Sequence, residues 1–181
     1  MNVRYFWQKV TSRLCCLIHG WIIPIDRSEP FDPVKFIGEG WSVWRGPPDG
    51  SGLSGKEDQD ERSLKLESIP ARAIRLENML KGGEKVINPE TRLERLKKVG
   101  HIRLDAKILQ TFWQNQGYIP DFWWRERKNG RTFVYFNGTI LRGPDGGRYE
   151  LCLCFFDELQ WRYYQITSAA VKDASDPSAV L

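Results

Sequence analysis

The sequence predicts an α+β fold in which two short helices pack on a C-terminal four-stranded antiparallel β-meander. Three observations carry this. Residues 131–156, RTFVYFNGTILRGPDGGRYELCLCFF, are aromatic and aliphatic runs broken by two turn signals. Upstream, residues 89–99 and 105–116 carry apolar side chains at helical spacing behind capping residues. The composition, 41% apolar and 28% charged over 181 residues, is that of a globular chain with a core rather than a disordered one.

Each element has a local cause. Asn88 is a helix cap and Pro89 the residue favoured at the first helical position; Leu93, Leu96 and Val99 share a face, and Gly100 stands where a stop is expected. Asp105 caps the second helix, Leu104 and Leu109 staple its start, and Ile108, Leu109, Phe112 and Trp113 form its apolar stripe. Gly117 and Pro120 end it. In the meander, Asn137-Gly138 between alternating runs predicts a two-residue hairpin that pairs Phe136 with Thr139, Tyr135 with Ile140 and Val134 with Leu141. Pro144-Asp145-Gly146-Gly147 makes the second reversal. Tyr149, Leu151, Leu153 and Phe155 then share one face, with Arg148, Glu150, Cys152 and Cys154 on the other. A turn at 157–160 leads into a fourth strand, and shorter strands are expected at 41–45 and 63–69.

The chain divides into an apolar, amphipathic N-terminal segment (1–30), one α+β domain (31–166) and a flexible tail (167–181). Within the domain, 46–61 is rich in Gly, Pro and Ser and then acidic, which predicts an exposed insert. Phe6, Val10, Leu14, Leu17, Ile18 and Trp21 recur at helical spacing. The apolar run 14–25 is shorter than the about 20 residues a membrane span needs. Residues 3–21 are expected to pack over the Cys152/Cys154 side of the sheet; peripheral membrane attachment and a secretory signal core are the alternatives. The chain reads as cytoplasmic, with Cys15, Cys16, Cys152 and Cys154 as reduced thiols. A composite metal site joining these cysteines to His19 is the other reading, and no cofactor is expected.

Functional signals are few. No phosphate loop, zinc-protease or nucleophile-elbow motif is present, and His101 with Asp105 is the one acid–base pair close in sequence. The leading expectation is a non-enzymatic binding or interaction protein with a protein partner; a single-stranded nucleic-acid binder is second and a small hydrolase-like enzyme third. The nucleic-acid reading rests on charge and rings. Residues 32–63 carry net −3 and residues 64–131 net +7. GRTFVYF fits the ribonucleoprotein consensus at Gly130, Phe133, Val134 and Phe136 but not at Asn129, Arg131 and Thr132, and with no helix between it and the next strand it reads as an aromatic strand rather than that domain. Arg125, Arg127, Lys128 and Arg131 beside Phe133 and Tyr135 are the candidate binding set, cations for phosphates and rings for bases. Asn137-Gly138-Thr139 is a formal glycosylation sequon that hairpin geometry explains better.

The blocks FIGEGWSV, DERSLKL, HIRLDAKILQTFWQNQGYIP, FNGTILRGPDGGRY and the terminal PSAVL stand together over residues 31–181. On these the chain resembles a family of small uncharacterised bacterial proteins. That resemblance implies no activity and no site residue.

Overall fold

Local chemistry sets the two longer helices. The computed structural model describes residues 21–46, 55–124, 132–155, 161–167, 172–173 and 176–181. Helix α3 (Pro89–Val99) starts where Asn88 Oδ1 accepts from the Glu90 N–H at 2.9 Å, and ends where Gly100 takes φ 77°, a conformation that costs glycine little. Helix α4 (Ala106–Gln114) starts at Asp105, whose Oδ1 accepts from the N–H groups of Lys107 and Ile108. Before them, in chain order, lie β1 (Ile22–Pro24), α1 (Pro33–Phe36), β2 (Ser42–Val43), α2 (Glu61–Leu64), β3 (Ser68–Pro70), β4 (Arg75–Glu77) and β5 (Val86–Ile87). After them come β6 (Thr132–Arg142), β7 (Arg148–Phe155), β8 (Trp161–Thr167), β9 (Lys172–Asp173) and β10 (Ser178–Val180).

The fold is mixed α+β around a six-stranded mixed sheet of order β4-β10-β6-β7-β8, with β2 also pairing β6. The expected C-terminal meander is corrected at its first turn. Asn137-Gly138 makes no hairpin; β6 runs straight through it and pairs antiparallel with β7 from Thr132↔Phe155 to Arg142↔Arg148, with a bulge between Phe136 and Ile140. Neither residue has the positive φ a type I′ turn requires. The two-residue hairpin would have joined three pairs, whereas β6 and β7 join eight and bury the apolar row of each. Gly138 serves a different need. A Cβ there would stand 2.2 Å from the Arg103 carbonyl oxygen, so glycine permits the chain before α4 to cross the strand. Its N–H donates to Leu104 O at 2.9 Å and its carbonyl accepts from Asp60 N at 2.8 Å. The reversal at 143–147, with Gly146 at φ 76°, joins β6 to β7.

The tail is also corrected. Residues 178–180 are an interior strand, antiparallel to β4 and parallel to β6, and Ser178, Ala179 and Val180 are buried. The expected strand at 63–69 is helix α2 followed by β3, which pairs with β1, because Asp60 caps the segment. The exposed insert holds only in part. Residues 47–54 lie outside the described ones, but Asp58 and Asp60 dock: Asp58 N–H donates to Trp44 O, and Asp60 is buried against Arg103. Asp60 pairs with its near neighbour Arg62, whereas the other cations that receive the two carboxylates, Lys97, Arg103 and Arg148, lie far along the chain.

The core lies between α4 and one face of the sheet. Leu104, Ile108, Leu109 and Phe112 meet Val134, Phe136, Leu151, Leu153 and Phe155, with Trp123 and Trp161 closing the end. Fully burying each large side chain of this set contributes roughly 1.5–3 kcal/mol. The two helices do not share this face, as the sequence suggested. Helix α3 stands on the opposite side, where its Arg92 reaches Glu150 and covers the Tyr135 ring. Cys152 and Cys154, on that opposite row, are free thiols and fully buried. Of the segment 3–21 expected to cover them, residues 3–20, with Cys15, Cys16 and His19, lie outside the described residues, as does the turn at 157–160, while Trp21 packs edge-on to Tyr118 at 6.2 Å, against the main core. Among the described residues no helix is long and apolar enough to cross a membrane.

Candidate ligand-binding cleft

Of the candidate residues read from sequence, only Phe133 and Tyr135 lie among the described ones. Arg125, Arg127, Lys128 and Arg131 lie outside the described residues. Tyr135 is 2% exposed, with the Arg92 guanidinium 4.5 Å from its ring centroid, and burial pushes its phenol well above the ordinary range. Phe133 is half-buried. A base therefore has no room to stack on Tyr135. Asn137 is buried with its amide donating to Glu150, so the sequon is closed to modification. His101 and Asp105 are held apart by different partners. His101 Nδ1 accepts from Arg75 at 3.0 Å, since a guanidinium only donates. Among the described residues no group of three His, Cys, Asp or Glu could hold a metal ion.

A cleft of about 680 Å³ opens elsewhere, within the range of about 300–1,000 Å³ usual for ligand sites. Its walls come from the 27–34 segment, the 41–43 segment including β2, residues 57–59, Leu64, the start of α4 and Thr139. Five large apolar side chains stand exposed among the described residues, and two of them, Val34 and Leu64, line this cleft. Phe31 and Trp41 add aromatic wall. Both are braced from behind, Phe31 by Phe36 at 5.5 Å and Trp41 edge-on to Tyr149 at 5.0 Å.

The polar floor is already committed to holding the fold. Asp105 Oδ1 accepts from Arg27 and two α4 N–H groups, and Oδ2 accepts from Arg27 at 2.7 Å and Ser63 Oγ at 2.7 Å. Five donors occupy both oxygens of this carboxylate. Ser63 is equally occupied, giving its proton to Asp105 and accepting from the Asp105 N–H. Thr139 Oγ accepts from the Ala106 N–H. The rim carboxylates also have partners: Glu57 pairs with Arg45 at 2.8 Å, while Asp32 caps α1 and shares Lys35 with Glu29.

One charge is left over. Lys107 lines the cleft and makes no ion pair among the described residues. Asp26, whose carboxyl is held low mainly by hydrogen bonds from Ser28 and only slightly by Lys107, lies beyond ion-pair distance. Lys107 also stands in the first turn of α4, where no acidic side chain follows the cap. A cation there opposes the helix dipole, at a cost of about 0.3–1 kcal/mol. An anion in the cleft would relieve it.

Sequence reasoning missed this cleft because its walls come from six separate stretches of chain. The one available signal was the apolar block FIGEGWSV beside Val34, of which the sequence assigned only the stretch from Trp41 onward to a strand. No family model matches the chain, and neither a curated protein nor a solved structure matches it.

Proposed function

We propose that this is a non-enzymatic binding protein whose ligand seat is the cleft between the 27–34 segment, β2 and the start of α4. The observation that carries this is the contrast between its two kinds of lining. Exposed apolar side chains and Lys107, which has no ion pair among the described residues, line the cavity, while the Asp105 carboxylate beside them is taken up by structural hydrogen bonds. Such a lining retains an apolar ligand with a single negative group. No histidine or cysteine lines it to serve as base or nucleophile.

The test uses anilinonaphthalene sulfonate, an apolar body with one negative charge. The intact protein is expected to bind it saturably at one site, and Leu64→Glu and Val34→Glu to abolish that site without moving the melting temperature, since both side chains are at the surface. Unchanged binding in both variants would place the site elsewhere and overturn the reading.

A further inference from the structure

We infer that the ligand of this cleft is an extended, apolar polypeptide segment ending in a free carboxylate, held as an added β-strand. The inference rests on the cleft reading above and names the class of ligand. It comes from the unused edge of β2. Strand β2 pairs antiparallel with β6 in the register Ser42↔Arg142 and Val43↔Leu141. Trp44 N–H donates to Ile140 O at 2.8 Å, which puts residues 42 and 44 in the hydrogen-bonded phase. The N–H and C=O of Val43 therefore point away from β6, and neither makes a hydrogen bond among the described residues. Trp41, one step along in the same phase, also has no backbone hydrogen bond among them. Both residues line the cleft.

An edge with two donors and two acceptors inside an apolar recess is a template for a further strand. Native edges of this kind are usually blunted by charge, proline or a covering loop; here the two outward positions are Trp41 and Val43. An incoming strand would bond to all four groups. Its alternate side chains would turn toward Phe31, Val34 and Leu64, because successive residues of a strand face opposite ways. A small amphiphile satisfies the apolar wall and Lys107 but leaves the backbone groups to water. A strand with a terminal carboxylate satisfies all three features together, and main-chain pairing combined with terminal-carboxylate capture is an established recognition mode.

The experiment passes a library of N-acetylated pentapeptides, random in Val, Leu, Ile, Phe and Thr, over the immobilised full chain, then measures retained sequences as free acids and as C-terminal amides. The acids are expected to bind about tenfold more tightly than the amides, and Lys107→Gln to erase that difference. Methylating alternate backbone amides of a retained peptide should abolish binding in one phase and be tolerated in the other, as a strand bonded along one edge requires. Equal tolerance of both phases would overturn strand addition. Acids and amides binding alike would overturn the carboxylate assignment. If anilinonaphthalene sulfonate binds and no peptide is retained, the peptide class falls while the cleft stands; if neither binds, both fall.

Discussion

Arg92 and Glu150 form an ion pair at 3.0 Å with side chains 0% and 1% exposed, joining α3 to β7 across the face opposite the main core. Asn137 donates to the other Glu150 oxygen, and Arg92 reaches the Asp176 carbonyl that precedes β10. A buried pair of this kind gives little net stability over a well-packed apolar pair, because both ions lose their water. It does, however, specify which helix face meets which strand. Removing one partner leaves the other charge unpaired.

Glu150→Ala and Arg92→Ala are therefore each expected to lower stability by about 3–5 kcal/mol. The double variant Arg92→Met/Glu150→Leu should recover most of the loss of either. Urea denaturation midpoints measure this, and additive losses in the double variant would show that the pair is not coupled.

Gly138→Ala should be among the most damaging single methyl additions in the chain. The new carbon would meet the Arg103 carbonyl and the Leu104–Asp105 peptide, all backbone, and neither strand nor helix start can yield without breaking hydrogen bonds. A loss above about 3 kcal/mol is expected, against the roughly 1 kcal/mol or less usual for glycine replacement at an unstrained position. Thermal melting distinguishes the two.

Asp60 predicts an acid-labile component of stability. Its burial works to raise the carboxyl pKa, but hydrogen bonds from the Arg62 guanidinium and the Arg103 N–H outweigh it and hold the group below its ordinary 3.8. A folded pKa below the unfolded one means that the unfolded chain binds the proton more readily between the two values. Stability from this group is thus complete above about 3.8 and is lost as pH falls below it toward the folded value. Asp60→Asn should flatten the dependence of the denaturation midpoint on pH in that window and cost about 1–3 kcal/mol at neutral pH. An unchanged slope would remove Asp60 from the acid response.

Deleting residues 178–181 should abolish cooperative unfolding. The sheet would lose the strand between β4 and β6, and Leu104 N–H and both backbone groups of Ile102 would lose partners. Ala179→Glu, which places a charge in the core, tests the same slot without shortening the chain. Near-ultraviolet circular dichroism is the readout, and a native spectrum in either variant would contradict the interior placement of β10.

Helices α3 and α4 were legible because their causes are local. Asn88, Pro89 and Gly100, and Asp105 with its two capped N–H groups, act within one turn of the chain whatever surrounds them. The apolar row of β7 was legible for the same reason, since strand alternation is a property of the backbone. Asn137-Gly138 misled because turn propensity is worth little against eight cross-strand pairs, and because glycine is equally the residue for close backbone crossing. PSAVL looked loose because small side chains carry no period, yet its place in the sheet comes from backbone pairing with β4 and β6, which no local pattern announces. The sequence by itself determined the two longer helices, their caps and the two faces of β7, all products of interactions a few residues in range. Only the tertiary structure decided the strand order, the partners of Asp58 and Asp60, and the cleft with its unpaired Lys107 and open β2 edge. Each of these joins segments tens of residues apart, and their pairing depends on which burial the whole chain can satisfy at once.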